Sequence, residues 1–225
     1  MTDPTGSGVS IPASGIARLS CSEVSALCLK AARGAGLSWG LAEEAGYAAR
    51  WLYARGLDGP GALLDVLDKA ESCGTAVLSD GSIRPKAHPA LSPITVGTAL
   101  SDFAGLRPGP ISAKSVLQPL LVLPFLHQMA CAGQEARLLK WAQGSVMVGP
   151  PGDVCGDAAL LETLDVAEIV VSVTPDQAKP VASVADLAPL QPEILKRLDD
   201  YAMRTTVPAT AASRADAGST DGDND

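Results

Sequence analysis

Apolar positions recur at helical spacing through the first third of the chain. Val24, Leu27, Cys28 and Ala31 follow the 3.6-residue period. Ser20-Cys21-Ser22-Glu23 stands before them in capping-box form, a hydroxyl and a carboxylate placed three residues apart to satisfy a helix's first free amides. Gly34 and Gly36 end that helix. Ser38 predicts the N-cap of a second helix running to Gly56, with Leu41, Ala45, Ala48, Ala49 and Leu52 on one face. Small residues there let another helix approach closely. Pro60 suits the first turn of a third helix, which carries Leu63, Leu64, Val66, Leu67 and Ala70 and stops at Gly74.

Beyond Gly74 the pattern shortens. Residues 75–78 and 82–84, joined by Asp80-Gly81, predict a hairpin with a type I′ turn. Further strands are expected at 95–103, 111–117, 120–126, 137–143, 145–148 and 168–173. Pro119 and Pro124 confine the 120–126 segment to an edge or irregular strand. Pro192 begins a last helix through about Met203, with Ile194, Leu195, Leu198 and Tyr201 as its apolar residues. This order predicts an α+β fold: an N-terminal three-helix segment, a mainly antiparallel or mixed sheet, then a C-terminal helix and a flexible tail. Residues 1–17 read as a flexible arm, 18–208 as a single domain and 209–225 as a flexible acidic tail.

Composition narrows the function classes. Apolar residues make up 47% of the 225 positions and aromatics only 4%, so the core is built mostly from small and aliphatic groups. A net charge of −8 without a Lys/Arg cluster argues against nucleic acid, whose phosphates require clustered cations, and against anionic membranes. The first twenty residues lack signal-peptide form, and the longest apolar run, Leu120 to Leu126, is too short to span a bilayer. Cys21 and Cys28, on one helix, lie roughly 10 Å apart along its axis, beyond disulfide reach. With an odd total of five cysteines, a reduced cytoplasmic protein is expected. Two histidines and no CxxC or HxxxH spacing lead us to expect neither metal nor cofactor.

The stretch Arg33-Gly34-Ala35-Gly36-Leu37-Ser38-Trp39 carries the main candidate chemistry. It enters a helix N-terminus, where free amides and the helix dipole attract anions. Trp39, Glu43, Tyr47 and Arg50 share one helix face, with Glu44, Trp51 and Arg55 on a neighbouring stripe. The expected site has Arg33 and the amides around Gly34, Gly36 and Ser38 holding a carboxylate or phosphate. Trp39 packs on it, Glu43 meets an amine or acts as general acid or base, and Glu44 and Arg50 flank it. The structural alternative is that acidic residues stabilise a first turn by about 0.3–1 kcal/mol and that Arg33 caps the first helix.

Three other patterns have two readings each. His127 and Cys131, spaced i, i+4, form a thiolate–imidazole pair if helical, or else Cys131 fills core. Gly149-Pro150-Pro151-Gly152-Asp153 reads as a turn. Arg204 and Arg214, among Thr205, Thr206, Thr210 and Ser213, belong either to a C-terminal arm over the ligand or to a helix C-cap and tail.

Arg33-Gly34-Ala35-Gly36, Trp39 to Gly46, Arg50-Trp51-Leu52, Arg55-Gly56-Leu57 and the ending from Arg204 to Arg214 together resemble a bacterial family of uncharacterised proteins, domain of unknown function 3726. The resemblance implies one domain over residues 18–218 and no particular activity. The three-helix order up to residue 72 is also similar to the N-terminal part of the malate/L-lactate dehydrogenase family distinct from the Rossmann type. That family carries Ser-His-Gly where this chain has Asp58-Gly59-Pro60-Gly61, without the histidine.

The leading expectation is a protein that binds a small anionic or zwitterionic, amino-acid-like metabolite, or assists an enzyme that handles one. The alternatives are an enzyme using Glu43 on such a metabolite and a ligand-free protein that contacts a partner or assembles as a homo-oligomer. In the last case the Ala-rich helix face and the 117–126 stretch would be the contact surfaces.

Overall fold

Ser20 opens the first helix as the capping box requires: its hydroxyl accepts from the Glu23 amide, and the Glu23 carboxylate accepts from the Ser20 amide at 2.8 Å. The computed structural model describes residues 18–103, 109–150, 152–175 and 189–205. The expected N-terminal arm and acidic tail lie outside the described residues. Three helices come first: α1 (Cys21–Gly34), α2 (Trp39–Tyr53) and α3 (Gly59–Asp68). They cross closely because small residues meet at the crossings. A Cβ added at Gly46 would lie 2.8 Å from the Ser25 carbonyl oxygen, so α1 and α2 approach at a distance only glycine permits.

The chain then alternates strands and helices: β1 (Cys73–Ser79), β2 (Ser82–Lys86), β3 (Ala90–Leu91), α4 (Pro93–Phe103), β4 (Ile111–Leu117), α5 (Leu123–Gly133), β5 (Ala136–Trp141), β6 (Gly144–Val148), β7 (Val154–Gly156), α6 (Ala158–Glu162), β8 (Val166–Thr174) and α7 (Pro192–Met203). The eight strands form one mixed sheet in the order β2-β1-β3-β4-β8-β5-β6-β7, and β2 also pairs with β4. From β4 through β8, β5 and β6 to β7 every pairing is antiparallel. The architecture is α+β. The β1–β2 hairpin turns through Asp80 and Gly81, both at positive φ (49° and 74°), as a type I′ turn demands.

Two expected strands are helices. Residues 95–103 lie in α4, where Ile94, Gly97 and Leu100 face inward at three-residue spacing. The β-branched threonines are tolerated because Thr95 and Thr98 return their hydroxyls to the Ser92 and Thr95 carbonyls, at 2.9 and 3.0 Å. Residues 120–126 form a 3₁₀ turn (Pro119–Val122) running into α5. Both prolines occupy first-turn positions, where their missing N–H costs nothing, rather than a sheet edge.

Leu120 to Leu123, Phe125 and Leu126 are completely buried, as are Ala42, Ala45, Ala48 and Ala49 of α2. The surfaces expected to serve subunit contacts are therefore the protein's own core. No described helix is long and apolar enough to cross a membrane.

At the start of the 3₁₀ turn, Gln118 is buried and donates to Asp65 and Asp165 at 2.8 and 3.3 Å, holding two carboxylates near each other. Burial raises the Asp65 pKa; Lys69 opposes the shift, and Asp165, Asp68 and Asp58 add to it. The folded chain thus takes up this proton at higher pH than the unfolded chain. The charge disfavours folding at neutral pH, and that cost fades as pH falls through the raised value. Asp65→Asn retains an acceptor for Gln118, so it should melt above wild type at pH 7. Scanning calorimetry across pH should find the gain shrinking toward acid.

Candidate functional site

The densest group of chemistry-bearing side chains lies where α2 meets α5. Glu44, Tyr47, Trp51 and Arg55 recur every three or four residues and form one stripe, Arg55 coming just after the helix ends. His127, Gln128 and Cys131 of α5 approach this stripe. The loop from Gly149 to Asp153, between β6 and β7, closes the group.

Trp51 is the platform. It is buried, with the Arg55 guanidinium carbon 3.7 Å from its ring centroid and the His127 ring 5.5 Å away at 36°. Arg55 donates to the Trp51 carbonyl at 3.1 Å and to the Gly152 carbonyl at 3.3 Å. The Cys131 sulfur is 3.6 Å from Nδ1 and 3.8 Å from Nε2 of His127, and its thiol donates to the Pro150 carbonyl at 2.7 Å. His127 hydrogen-bonds the backbone of Gly149. Arg55, His127 and Cys131 thus all hold the backbone of one short loop.

Gly152 makes this packing possible. It sits at φ +88°, and a Cβ there would come within 2.5 Å of Arg55 Nη2 and 3.1 Å of His127 Cε1.

Burial lowers the His127 pKa, Arg55 lowers it further, and the bond to Gly149 opposes both. The imidazole is therefore neutral at pH 7, one nitrogen bonded to the loop. Burial raises the Tyr47 pKa against the pull of Arg50 and Arg55, so the phenol keeps its proton. Arg50 lies over the Tyr47 ring at 5.7 Å. Among the described residues neither Arg50 nor Arg55 forms an ion pair. Two guanidinium groups, a phenol, a neutral imidazole and a thiol converge here. The arrangement can hold an anion, and the His127 imidazole stands beside the Cys131 thiol.

The residues singled out in the sequence are divided between this place and others. Glu44 accepts from Gln128 at 3.5 Å, and Arg50 stacks on Tyr47, so both join the α2–α5 group. Arg33 turns back to donate to the Leu37 carbonyl and lies over Trp39, 4.7 Å from the ring centroid. Trp39 is 64% exposed, Glu43 is exposed, and no described hydrogen bond or ion pair joins Glu43 to Arg33. Ser38 caps α2 without a side-chain bond. Gly34 lies against the backbone of Tyr201 in α7, and Gly36 turns the chain at φ +96°. Arg204 stacks on Tyr201 at 4.2 Å at the C-cap of α7, whereas Arg214 lies outside the described residues.

Residues 19–88 match the model of the family described as "Protein of unknown function (DUF3726)". The match contains Tyr47, Trp51 and Arg55 but neither His127 and Cys131 nor the ending at Arg204 to Arg214. No curated protein matches the chain. Among solved structures, it is similar to the malate dehydrogenase from Pyrococcus horikoshii OT3, with TM-score 0.45 and 9% identity over 64% of this chain and 51% of that one. A second is the malate dehydrogenase from Entamoeba histolytica, with TM-score 0.40 and 10% identity over 59% of this chain and 43% of that one. The chain spans about half the length of these structures.

In the sequence, the stripe of Glu44, Trp51 and Arg55 and the His127–Cys131 spacing stand as separate features. The Gly149–Asp153 loop was legible only as a turn. Its part in the site depends on an Arg55–Gly152 contact between residues 97 apart in the chain, which no local pattern encodes.

Proposed function

We propose that the protein binds a small anionic metabolite, a carboxylate or phosphate, at the junction of α2, α5 and the Gly149–Asp153 loop. The observation that carries this reading is Arg55: half-buried, stacked on Trp51 and held by the loop, yet without an ion-pair partner among the described residues. A guanidinium fixed in this way presents its remaining N–H groups as a pre-set fork for an oxyanion. Arg50 and the Tyr47 hydroxyl supply further donors, and the neutral His127 beside Cys131 offers a proton acceptor.

A thermal-shift screen against amino acids, organic acids and sugar phosphates tests the reading, with hits measured by calorimetry. Ligand at a hundred times its dissociation constant adds about 2.7 kcal/mol, a readily seen shift. Arg55→Gln is expected to weaken a hit by about tenfold or more, the usual loss for a charge-assisted hydrogen bond, while Arg33→Ala leaves it unchanged. A blank screen overturns the proposal. Loss in Arg33→Ala with retention in Arg55→Gln would move the site to the α1–α2 loop.

A further inference from the structure

A cavity of about 490 Å³ lies along α5, lined by Ser101 of α4, Gln128, Met129 and Ala132 of α5, Glu135, and Arg137 of β5. Arg137 is only 7% exposed. Its register on β5, opposite Val148 and Val173 and two residues before Leu139, turns it to the same sheet face as the buried Leu139 and Val146. Among the described residues its buried Nε has no partner, and the one hydrogen bond it makes runs from Nη2 to the Met129 carbonyl at 3.5 Å, the long limit for such a bond. No described carboxylate pairs with it. Buried cations are ordinarily paired, because desolvation penalises a lone charge heavily.

Glu135 is nearby but does not neutralise it. A Cβ added at Gly133 would lie 2.8 Å from Arg137 Nη2 and 3.9 Å from Glu135 Oε2, so both groups border the space over Gly133 without forming an ion pair. A cation and an anion separated by a gap fit a molecule carrying the complementary charges in the reverse order. Met129 and Ala132 give the lining an apolar part, beside the polar Ser101 and Gln128.

We propose that this cavity is a binding site for an apolar α-amino acid. The carboxylate meets Arg137, the ammonium meets Glu135, and the side chain packs on Met129 and Ala132. The site borders the α2–α5 junction through Gln128 but uses none of its cations.

The test is calorimetric titration of the full chain with L-alanine, L-valine, L-leucine, L-methionine and L-phenylalanine, followed by the des-amino acid of the best binder and by inorganic phosphate. At least one amino acid is expected to bind. Its des-amino analogue and the Glu135→Gln variant should each be weaker by about tenfold, the loss of one charge-assisted hydrogen bond. Arg137→Met should abolish binding yet melt at or above the wild-type temperature without ligand, because it removes a lone buried charge. Arg137→Lys, which keeps the charge but not the fork, covers failure of the methionine variant to fold and should also lose at least about tenfold. Arg55→Gln should leave this binding unchanged. The proposal is overturned if no amino acid binds, if binding persists undiminished in the Arg137 variants, or if Arg55→Gln alone abolishes it. Binding of phosphate as tight as that of the best amino acid overturns the amino-acid assignment.

Discussion

Trp51→Ala should destabilise the protein by about 3–5 kcal/mol in urea unfolding followed by far-UV circular dichroism, the usual cost of truncating a buried tryptophan. The residue is 4% exposed and packs against both Arg55 and His127. Its removal opens a void under both. The loss should extend beyond packing, because the two side chains it supports also hold the Gly149–Asp153 loop. Water entering the void relieves the burial that lowers the His127 pKa. An NMR titration should therefore find the imidazole pKa higher in the variant than in wild type. Trp51→Phe separates platform from hydrogen bonding. The indole Nε1 is buried without an acceptor among the described residues, so its loss forfeits no bond and relieves a desolvated donor. The phenylalanine variant should cost only about 1–2 kcal/mol and retain the aromatic face under Arg55. Equal destabilisation by Phe and Ala would mean that Trp51 does not act as a platform.

How far the sequence foretold these features depended on whether the deciding contacts were local. The capping box at Ser20 and Glu23 and the Asp80-Gly81 hairpin are closed by neighbours in the chain, and both occur as read. Segments 95–103 and 120–126 read as strands in sequence because a continuous apolar or β-branched run carries no period that separates a buried strand from a buried helix. Tertiary packing decided them: α4 presents Gly97 to the ring of Phe125 in α5, a contact between distant segments. The same limit applied to function. The spacing of Trp51 and Arg55 and that of His127 and Cys131 were both visible, but nothing in either stretch said that they face each other. Arg137 gave less signal still. In a strand it reads as a solvent-facing residue, and only the register of β5 turns it inward.

The paired glycines before α2 should respond very differently to substitution, and the difference tests whether that stretch is built for packing. A side chain at Gly34 would overlap the Tyr201 carbonyl, where α7 crosses the end of α1. Backbone cannot yield as a flexible side chain does, so α7 has to move. That helix buries Leu195, Leu198 and Ala202, and Arg197 and Tyr201 both reach Asp68 of α3, at 2.6 and 3.0 Å. Gly34→Val should therefore cost about 3 kcal/mol, at the upper end of ordinary overpacking, and should open residues 192–203 to limited proteolysis. Gly36 stands in open space, and only its φ of +96° opposes a side chain. Gly36→Ala should cost about 1–2 kcal/mol, with α7 still protected. A Gly34→Val protein that melts like wild type would show that the α1–α7 crossing is not what this glycine serves, and the ligand reading of the Arg33 loop would regain force. Destabilisation with α7 released would instead place Gly34 in the fold, leaving Arg33, clasped to Leu37 and lying over Trp39, as the fastening of the turn into α2.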